Sequence, residues 1–384
     1  MKKCIRITAL ILILITVLSA GMNVFGMDLS VGEIEINAKS AVLMDANTGT
    51  VMYEKNKDEK LSPASVTKIM TLLLVFEALD EGKIKLEDTV TVSENASSMG
   101  GSQIFLEPGE EMTVDDLIKS VVIASANDAA VTLAEYVGGS EEAFVYMMNK
   151  RARELGMANT HFENPTGLDD DTDTHLTTAY DIALMSRELM KHEKITDYTT
   201  IWMDTVRNGE FGLSNTNKLI RFYRGATGLK TGSTSKAGFC ISATAKREGL
   251  HLISVIMGSD TSQTRNASAV KLLDMGFAKY EIYVNKGVEL EPVAVKNGKQ
   301  EAVAIKHNGN QLLIPKGKSD SIKTELKFNE EINAPLKNGD VVGSIIYTLD
   351  GEIIGEEDVY CTESVDKIDF IWYLSSVLKK FVLN

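Results

Sequence analysis

Residues 38–278 have sequence patterns typical of β-strands near their start and near their end, and this placement constrains the fold more than any other feature of the sequence. Near the start, Ala41-Val42-Leu43-Met44 and Val51-Met52-Tyr53 flank Asn47-Thr48-Gly49, a pattern typical of a β-hairpin. Near the end, further strands are predicted at 227–232, 238–245 and 251–257. We therefore expect one sheet that is closed by the first and last pieces of the segment.

The middle of the same segment has the pattern of helices. One helix is predicted to begin near Pro63, because proline is favoured in a first turn and the run from Ile69 to Phe76 is apolar on most of its surface. Further helices are predicted at 114–137, 140–155 and 177–191. This order predicts an α+β fold, in which an antiparallel sheet is flanked by helices and carries an inserted helical cluster.

The rest of the chain divides into two parts. Asn-Gly and Asp-Gly turns separate short apolar runs between 284 and 362, which predicts a small all-β, sandwich-like domain at 279–363. The spacing of apolar and charged residues in 364–384 predicts an amphipathic helix, which is too short and too charged to span a bilayer. After a two-domain body, such a helix indicates a membrane anchor lying in the bilayer surface, although helices that cap a domain look similar.

The first 26 residues have the pattern of a secretory signal peptide. Three basic residues precede the apolar run from Ile7 to Leu18, and Gly26 ends a fitting cleavage site, with Ala20 as a competing one. We therefore expect an exported protein at the outer face of the cytoplasmic membrane or in the cell wall.

Composition excludes other classes of function. A formal net charge of -14 argues against nucleic-acid binding, which needs clustered basic residues. The histidines lack the spacing of a zinc site, so neither a metal nor a cofactor is expected. Cys240 and Cys361 fall in separate predicted domains, and we expect both to be buried free thiols.

Three short motifs carry the chemistry. Ser65-Val66-Thr67-Lys68 places a hydroxyl and an amine on one face at the head of the helix near Pro63. The helix N-terminus there would favour negative charge on an acyl oxygen. Ser125-Ala126-Asn127 follows between helical stretches, and Lys230-Thr231-Gly232 lies on a strand leading into a hairpin. Four other Ser and Lys pairs have the first motif's spacing, but none follows a proline at the head of a buried helix.

In this order the motifs resemble those of penicillin-binding proteins and serine β-lactamases. The runs from Phe162 to Leu168 and from Thr177 to Asp181, with the all-β domain and the tail, resemble low-molecular-weight D-alanyl-D-alanine carboxypeptidases. The resemblance implies a β-lactamase/transpeptidase-like fold for a catalytic domain at 27–278. It also implies removal of the terminal D-alanine from peptidoglycan stem peptides through a Ser65 acyl-enzyme, and covalent binding of β-lactam antibiotics.

The nucleophile needs a base. Lys68 can take the Ser65 proton only as a neutral amine, and we expect burial and the charge of Lys230 to lower its pKa. The resemblance implies that Ser125 relays the proton to the departing amine, while Asn127 holds the substrate amide and orients Lys68.

The same resemblance implies the substrate-binding groups. The backbone N–H groups of Ser65 and Ser233 would form an oxyanion hole. Lys230 and Thr231, with Gly232 beside them, would receive the terminal carboxylate together with Arg265. The role of Arg265 is left open, because an ordinary surface arginine fits the sequence equally well.

Two other functions remain open on the sequence. A serine β-lactamase would need a group to activate water, and Glu163 lies in the right interval, although its surroundings resemble the carboxypeptidase loop. A catalytically idle wall-binding or sporulation scaffold would leave cellular function untouched by Ser65→Ala.

Overall fold

The computed structural model describes residues 34–168, 172–285 and 290–382. The predicted signal peptide therefore lies outside the described residues. The α-helices are α1 (Lys68–Asp80), α2 (Glu94–Ser97), α3 (Val114–Lys119), α4 (Asn127–Gly138), α5 (Glu141–Glu154), α6 (Ala179–Leu189), α7 (Ile195–Thr199), α8 (Leu219–Phe222), α9 (Ser262–Lys279) and α10 (Phe370–Val382). The strands are β1 (Ser40–Asp45), β2 (Val51–Lys55), β3 (Thr89–Thr91), β4 (Glu111–Thr113), β5 (Met203–Val206), β6 (Phe211–Ser214), β7 (Ala226–Thr234), β8 (Gly238–Arg247), β9 (Leu250–Ser259), β10 (Tyr280–Val284), β11 (Val293–Ala294), β12 (Ala302–Val303), β13 (Ile305–Lys306), β14 (Gln311–Pro315), β15 (Lys323–Phe328), β16 (Val341–Leu349) and β17 (Glu352–Cys361).

The central sheet joins the two ends of the first segment, as the sequence predicts. Its strand order is β2-β1-β9-β8-β7, and all neighbours are antiparallel. The β1–β9 pairing brings the hairpin at the start of the segment against the last strand. In this sheet β7 is an edge strand, so one of its sides is left for the active site.

Helices cover both faces of this sheet, which explains why its strands are apolar without alternation. Val42 and Met44 of β1 belong to the core formed with α1 and the inserted helices. Leu43 points to the other face, where Gly276 of α9 lets the helix approach Leu43 and Leu252 closely. Helix α1 is itself buried along most of its length, so the nucleophile motif at its head is rigidly supported.

The prediction of a single helix at 114–137 is wrong, because the structure has two helices there with a break between them. Helix α3 ends at Lys119, a π-helical turn covers Ser120–Ala124, and Ser125 has a left-handed φ of 63° before α4 begins. No glycine or proline marks the break, and both halves are buried, so the apolar pattern runs across it unchanged. The break turns the Ser125 side chain out of the helical path.

The chain beyond α9 forms a separate β core. Lys279 ends α9 and Tyr280 begins β10, which pairs with β14, so no linker separates the two. The main sheet here has the order β13-β17-β16-β15, and its buried side includes Tyr347 and Val359. Within the described residues, no helix has the length and apolar character needed to cross a bilayer.

Of the cysteines that the structure describes, Cys240 and Cys361 are both buried and neither forms a disulfide, as predicted. Cys240 lies in β8 of the central sheet, whereas Cys361 ends β17 in the second core.

Candidate active site

Ser65 lies in a 3-10 turn, Ala64–Thr67, that continues directly into α1 at Lys68. The sequence analysis placed Ser65 in the first turn of the α-helix itself. In the structure this turn is a 3-10 turn, which is wound more tightly than an α-helix. Edge strand β7 passes close beside this turn because Gly232 has no side chain. A Cβ there would lie 2.8 Å from the Ser65 nitrogen and 2.9 Å from the Val66 nitrogen.

The Lys68 amine is completely buried and touches three oxygen atoms. Its Nζ lies 2.9 Å from Ser65 Oγ, 2.6 Å from Asn127 Oδ1 and 2.7 Å from the carbonyl oxygen of Thr166. The Asn127 amide is oriented by its other end, because Nδ2 donates to the Gly100 carbonyl at 2.7 Å. Two of the three partners of Lys68 are therefore fixed acceptors without a proton.

This contact set suits a neutral amine. A neutral amine has two N–H donors and one lone pair, and the donors match Asn127 Oδ1 and the Thr166 carbonyl. Lys68 Nζ donates to Ser65 Oγ at 2.9 Å when it is charged, and in the neutral form its lone pair is left to accept the Ser65 hydroxyl proton across the same contact. Burial lowers the Lys68 pKa well below its ordinary value of 10.5, and the charge of Lys230 lowers it further. Both causes were expected from the sequence.

Lys230 approaches the site from the edge strand. Its amine donates to Ser125 Oγ at 2.8 Å and to the Thr231 carbonyl at 3.1 Å, and the side chain is buried. Burial, assisted by the charge of Arg265, lowers the Lys230 pKa from 10.5 to about 7. Hydrogen bonds thus group Ser65 and Asn127 around Lys68 and join Ser125 to Lys230, and the two amines are near enough for the Lys230 charge to lower the Lys68 pKa.

Arg265 is buried rather than a plain surface arginine. It lies in the first turn of α9, where its guanidinium donates to Asn266 Oδ1 at 2.9 Å and to the Cys240 carbonyl at 3.4 Å. Burial lowers its pKa to about 10. In the described part of the chain no carboxylate neutralises this guanidinium, so the site keeps a positive charge behind Lys230.

Thr231 and Ser233 follow on the same strand with different environments. Thr231 Oγ1 donates to Thr216 Oγ1 at 2.8 Å and is buried, whereas Ser233 is exposed at the end of β7. The strand therefore presents an amine, a hydroxyl and an exposed serine in succession beside the Ser65 turn.

Sequence reasoning missed residues that act through backbone atoms or through packing. The Thr166 carbonyl contacts Lys68, and Gly167 packs against the Ser65 turn where a side chain would collide with the Ala64 carbonyl. His175 is buried behind them, with Nε2 2.9 Å from Thr67 Oγ1 and Nδ1 accepting the Glu163 N–H at 3.2 Å. The sequence analysis identified the run from Phe162 to Leu168 as a motif. It could not show that a backbone carbonyl of this run contacts Lys68, because any residue type supplies such a carbonyl.

Glu163 does not reach the catalytic amines. Its carboxylate accepts a hydrogen bond from Thr174 Oγ1 and lies 3.6 Å from His161 Nε2. The loop thus contributes a backbone carbonyl to Lys68, and its glutamate is engaged elsewhere.

A serine and a neutral lysine, backed by a second buried lysine beside a sheet edge, define a serine acyl-transfer enzyme. Residues 27–261 match the family model for D-alanyl-D-alanine carboxypeptidase, and residues 277–367 match the C-terminal domain of penicillin-binding protein 5. The chain belongs to the D-alanyl-D-alanine carboxypeptidase family of serine hydrolases.

Individual relatives agree along the chain. It is 46% identical over 353 residues to D-alanyl-D-alanine carboxypeptidase DacF of Bacillus subtilis, covering 90% of each protein. It is 35% identical to DacC of Escherichia coli, covering 93% of this chain and 92% of the relative. The structure of penicillin binding protein 5 from Haemophilus influenzae superposes with a TM-score of 0.79 at 32% identity, covering 88% and 100%.

A further solved relative contains a drug. Penicillin-binding protein D2 from Listeria monocytogenes, in its cefotaxime-bound form, has a TM-score of 0.60 at 31% identity and covers 64% of this chain and 100% of its own. The predicted family, fold class and carboxypeptidase activity are confirmed by these findings.

Proposed function

We propose that this enzyme removes the terminal D-alanine from peptidoglycan stem peptides through an ester on Ser65. The observation that carries the proposal is the 2.9 Å contact of Ser65 Oγ with a Lys68 amine whose other two contacts are acceptors. In the first step the lone pair of Lys68 takes the hydroxyl proton as Oγ attacks the carbonyl carbon of the penultimate D-alanine.

The next step breaks the peptide bond. Ser125 lies 2.8 Å from the Lys230 amine, so its hydroxyl can donate to the leaving nitrogen and be reprotonated from the lysine pair. The backbone N–H groups of Ser65 and Ser233 stabilise the negative oxygen, which typically contributes about 3–4 kcal/mol. Lys68, neutral again once its proton has passed to Ser125, takes a proton from the water that attacks the ester and returns it to Ser65 Oγ as the acid leaves.

The terminal carboxylate is the recognition element of this substrate. We assign it to Lys230, Thr231 and Arg265, because an amine and a hydroxyl lie on the edge strand and the guanidinium charge is near enough to lower the Lys230 pKa. Arrival of the carboxylate favours the charged form of Lys230, whose pKa of about 7 leaves it divided between both forms in the free enzyme. Substrate binding and Lys230 protonation are therefore coupled.

Intact-mass analysis after brief exposure to penicillin tests the nucleophile. The wild-type chain should gain one penicillin, Ser65→Ala should gain none, and hydrolysis of a D-alanyl-D-alanine peptide should be lost in the same variant. Ser376→Ala is the matched control, because Ser376 has the same spacing to a lysine but lies in the tail helix. A stable adduct on Ser65→Ala, or none on the wild type, contradicts the proposal.

Export and membrane attachment complete the proposal. The pattern of residues 1–26 supports export to the outer face of the membrane. Helix α10 supports attachment, because Ile371, Leu374 and Leu378 repeat at helical spacing and remain solvent-exposed. An interfacial helix with this pattern would bind the bilayer surface without crossing it.

Vesicle flotation tests the attachment. The protein without residues 1–26 should float with vesicles of phosphatidylglycerol, and Leu374→Glu should abolish flotation by charging the apolar side. Ser376→Glu adds the same charge but is neither three nor four residues from Ile371, Leu374 or Leu378, so it lies off the apolar side and should reduce flotation less. Equal loss in both variants would mean that net charge, and not the apolar side, governs binding.

A further inference from the structure

An aromatic side chain is held in solvent at the edge of the active site. The Phe105 side chain is 68% exposed, although Ile104 and Leu106 on either side are buried. Its backbone φ is 58°, a left-handed value that is unfavourable for a bulky residue. Strained backbone of this kind persists only where surrounding contacts enforce it, and it concentrates at functional sites.

The contacts that enforce this conformation come from two charged groups. The buried Asp128 carboxylate accepts the N–H of Ile104 at 3.1 Å and the N–H of Leu106 at 3.0 Å. The Arg207 guanidinium donates to the carbonyls of Ile104 at 2.7 Å and Phe105 at 3.0 Å. Both peptide groups around Phe105 are therefore fixed by hydrogen bonds, in a backbone conformation that directs the ring outward.

The position of the ring connects it with the catalytic groups. Asp128 directly follows Asn127, whose N–H donates to the Ser102 carbonyl at 2.7 Å. Phe105 is three residues from Ser102, so its backbone lies at most about 10 Å from that contact. The loop that presents the ring is thus continuous with the wall of the site that contains Asn127.

A second segment of the chain contacts the ring. The Phe105 ring meets the edge of Phe211 with ring centroids 6.4 Å apart, and Arg207 lies over the Phe211 ring at 5.5 Å. Phe211 begins β6, and the chain then reaches Thr216, whose hydroxyl accepts from Thr231 on the edge strand. The aromatic pair therefore lies between the element that supplies Asn127 and the segment that supports Thr231.

We propose that Phe105 is a specificity-determining residue that packs against the side chain immediately preceding the two D-alanines of the stem peptide. This inference rests on the proposed function, because it requires a peptide acylating Ser65. The aliphatic part of a long side chain would cover the exposed ring, whereas a glycine at the same position would leave the ring in water. A ring contact of this type changes binding about threefold to tenfold.

Two peptides ending in D-alanyl-D-alanine separate the outcomes. One begins with diacetyl-lysine, which supplies a long apolar stem, and the other with acetyl-glycine. Phe105→Ala should lower kcat/KM for the lysyl peptide about threefold to tenfold through a raised KM, and leave the glycyl peptide within about twofold. Phe105→Leu should restore most of the loss, because it keeps an apolar side chain in the same backbone.

The controls distinguish specificity from folding. Tyr146→Ala removes an aromatic side chain of similar exposure, 67%, from α5 and should change neither peptide. Acylation by 6-aminopenicillanic acid, which lacks an acyl side chain, should proceed at the wild-type rate in Phe105→Ala. Equal effects on both peptides, no effect on either, or slower acylation overturns the inference. A wild-type enzyme that hydrolyses neither peptide would instead contradict the proposed function.

Discussion

Replacing Lys230 by methionine should change the stability of the protein more favourably near neutral pH than in alkali. The fall of the Lys230 pKa from 10.5 to about 7 means that its charged form is disfavoured in the folded state. At about 1.4 kcal/mol for each tenfold change, the charged side chain destabilises the fold by about 5 kcal/mol below pH 7. Methionine has a similar length and carries no charge.

The sign follows from proton linkage. Between pH 7 and 10.5 the unfolded chain holds the Lys230 proton more tightly than the folded chain does, so wild-type stability rises with pH across this window. The destabilisation is fully present below about pH 7 and is mostly relieved at about pH 10. A methionine at position 230 carries no charge, so this destabilisation is absent at every pH. Losing the contacts to Ser125 Oγ and the Thr231 carbonyl costs about 1–3 kcal/mol each at any pH.

The measurable quantity is therefore the change of ΔΔG with pH, from which the constant packing terms cancel. Relative to wild type, Lys230→Met should be about 3–4 kcal/mol more favourable at about pH 7 than at about pH 10. Loss of the Lys230 charge also raises the Lys68 pKa, which acts in the same direction at neutral pH.

Urea unfolding followed by the fluorescence of Trp202 measures this. A Trp372→Phe background removes the tryptophan of the tail, so that the signal reports on the catalytic region. Lys236→Met, which removes an exposed lysine from the next turn, should give a small ΔΔG at both pH values. A ΔΔG for Lys230→Met that is constant within about 1 kcal/mol from pH 7 to 10 would refute the reasoning.

Three further predictions concern the neighbouring groups. Gly232→Ala should slow acylation by penicillin about 100-fold, because the new Cβ displaces the Ser65 turn, whereas Gly212→Ala, which meets open space, should stay within about twofold. His175→Ala should lower the free energy of unfolding by about 1–3 kcal/mol, measured by urea titration, because the Thr67 hydroxyl loses its partner. The wild-type acylation rate should rise with pH as Lys68 loses its proton, and this rise should move to higher pH in Lys230→Met, as stopped-flow measurements with a chromogenic β-lactam would record.

Much of this architecture could be predicted from the sequence because it rests on local patterns. The hairpin at 41–53 and the strands after 226 have turn dipeptides and apolar runs that specify pairing. The Ser65, Ser125 and Lys230 motifs could be located because their side chains carry the chemistry.

The features that escaped prediction depend on tertiary contacts. The break before Ser125 has no glycine or proline to mark it, and the side chains that follow it are held by tertiary contacts, Ser125 by Lys230 and Asn127 by Lys68. The Thr166 carbonyl is a backbone atom, which any residue could supply. Phe105 appears in the sequence as an ordinary core-type residue, and only the contacts of Asp128 and Arg207 show that it points outward.

The uninterrupted passage from α9 into β10 has a practical consequence for fragment design. The carboxypeptidase family match stops at residue 261, yet the helix that follows carries Arg265 and covers the back of the sheet with Leu272 and Gly276. A protein shortened at the end of the match would lose a cationic neighbour of Lys230 and expose apolar strands to aggregation. A usable catalytic fragment must therefore extend through Lys279, with a solubilising end placed where Tyr280 would have entered the next strand.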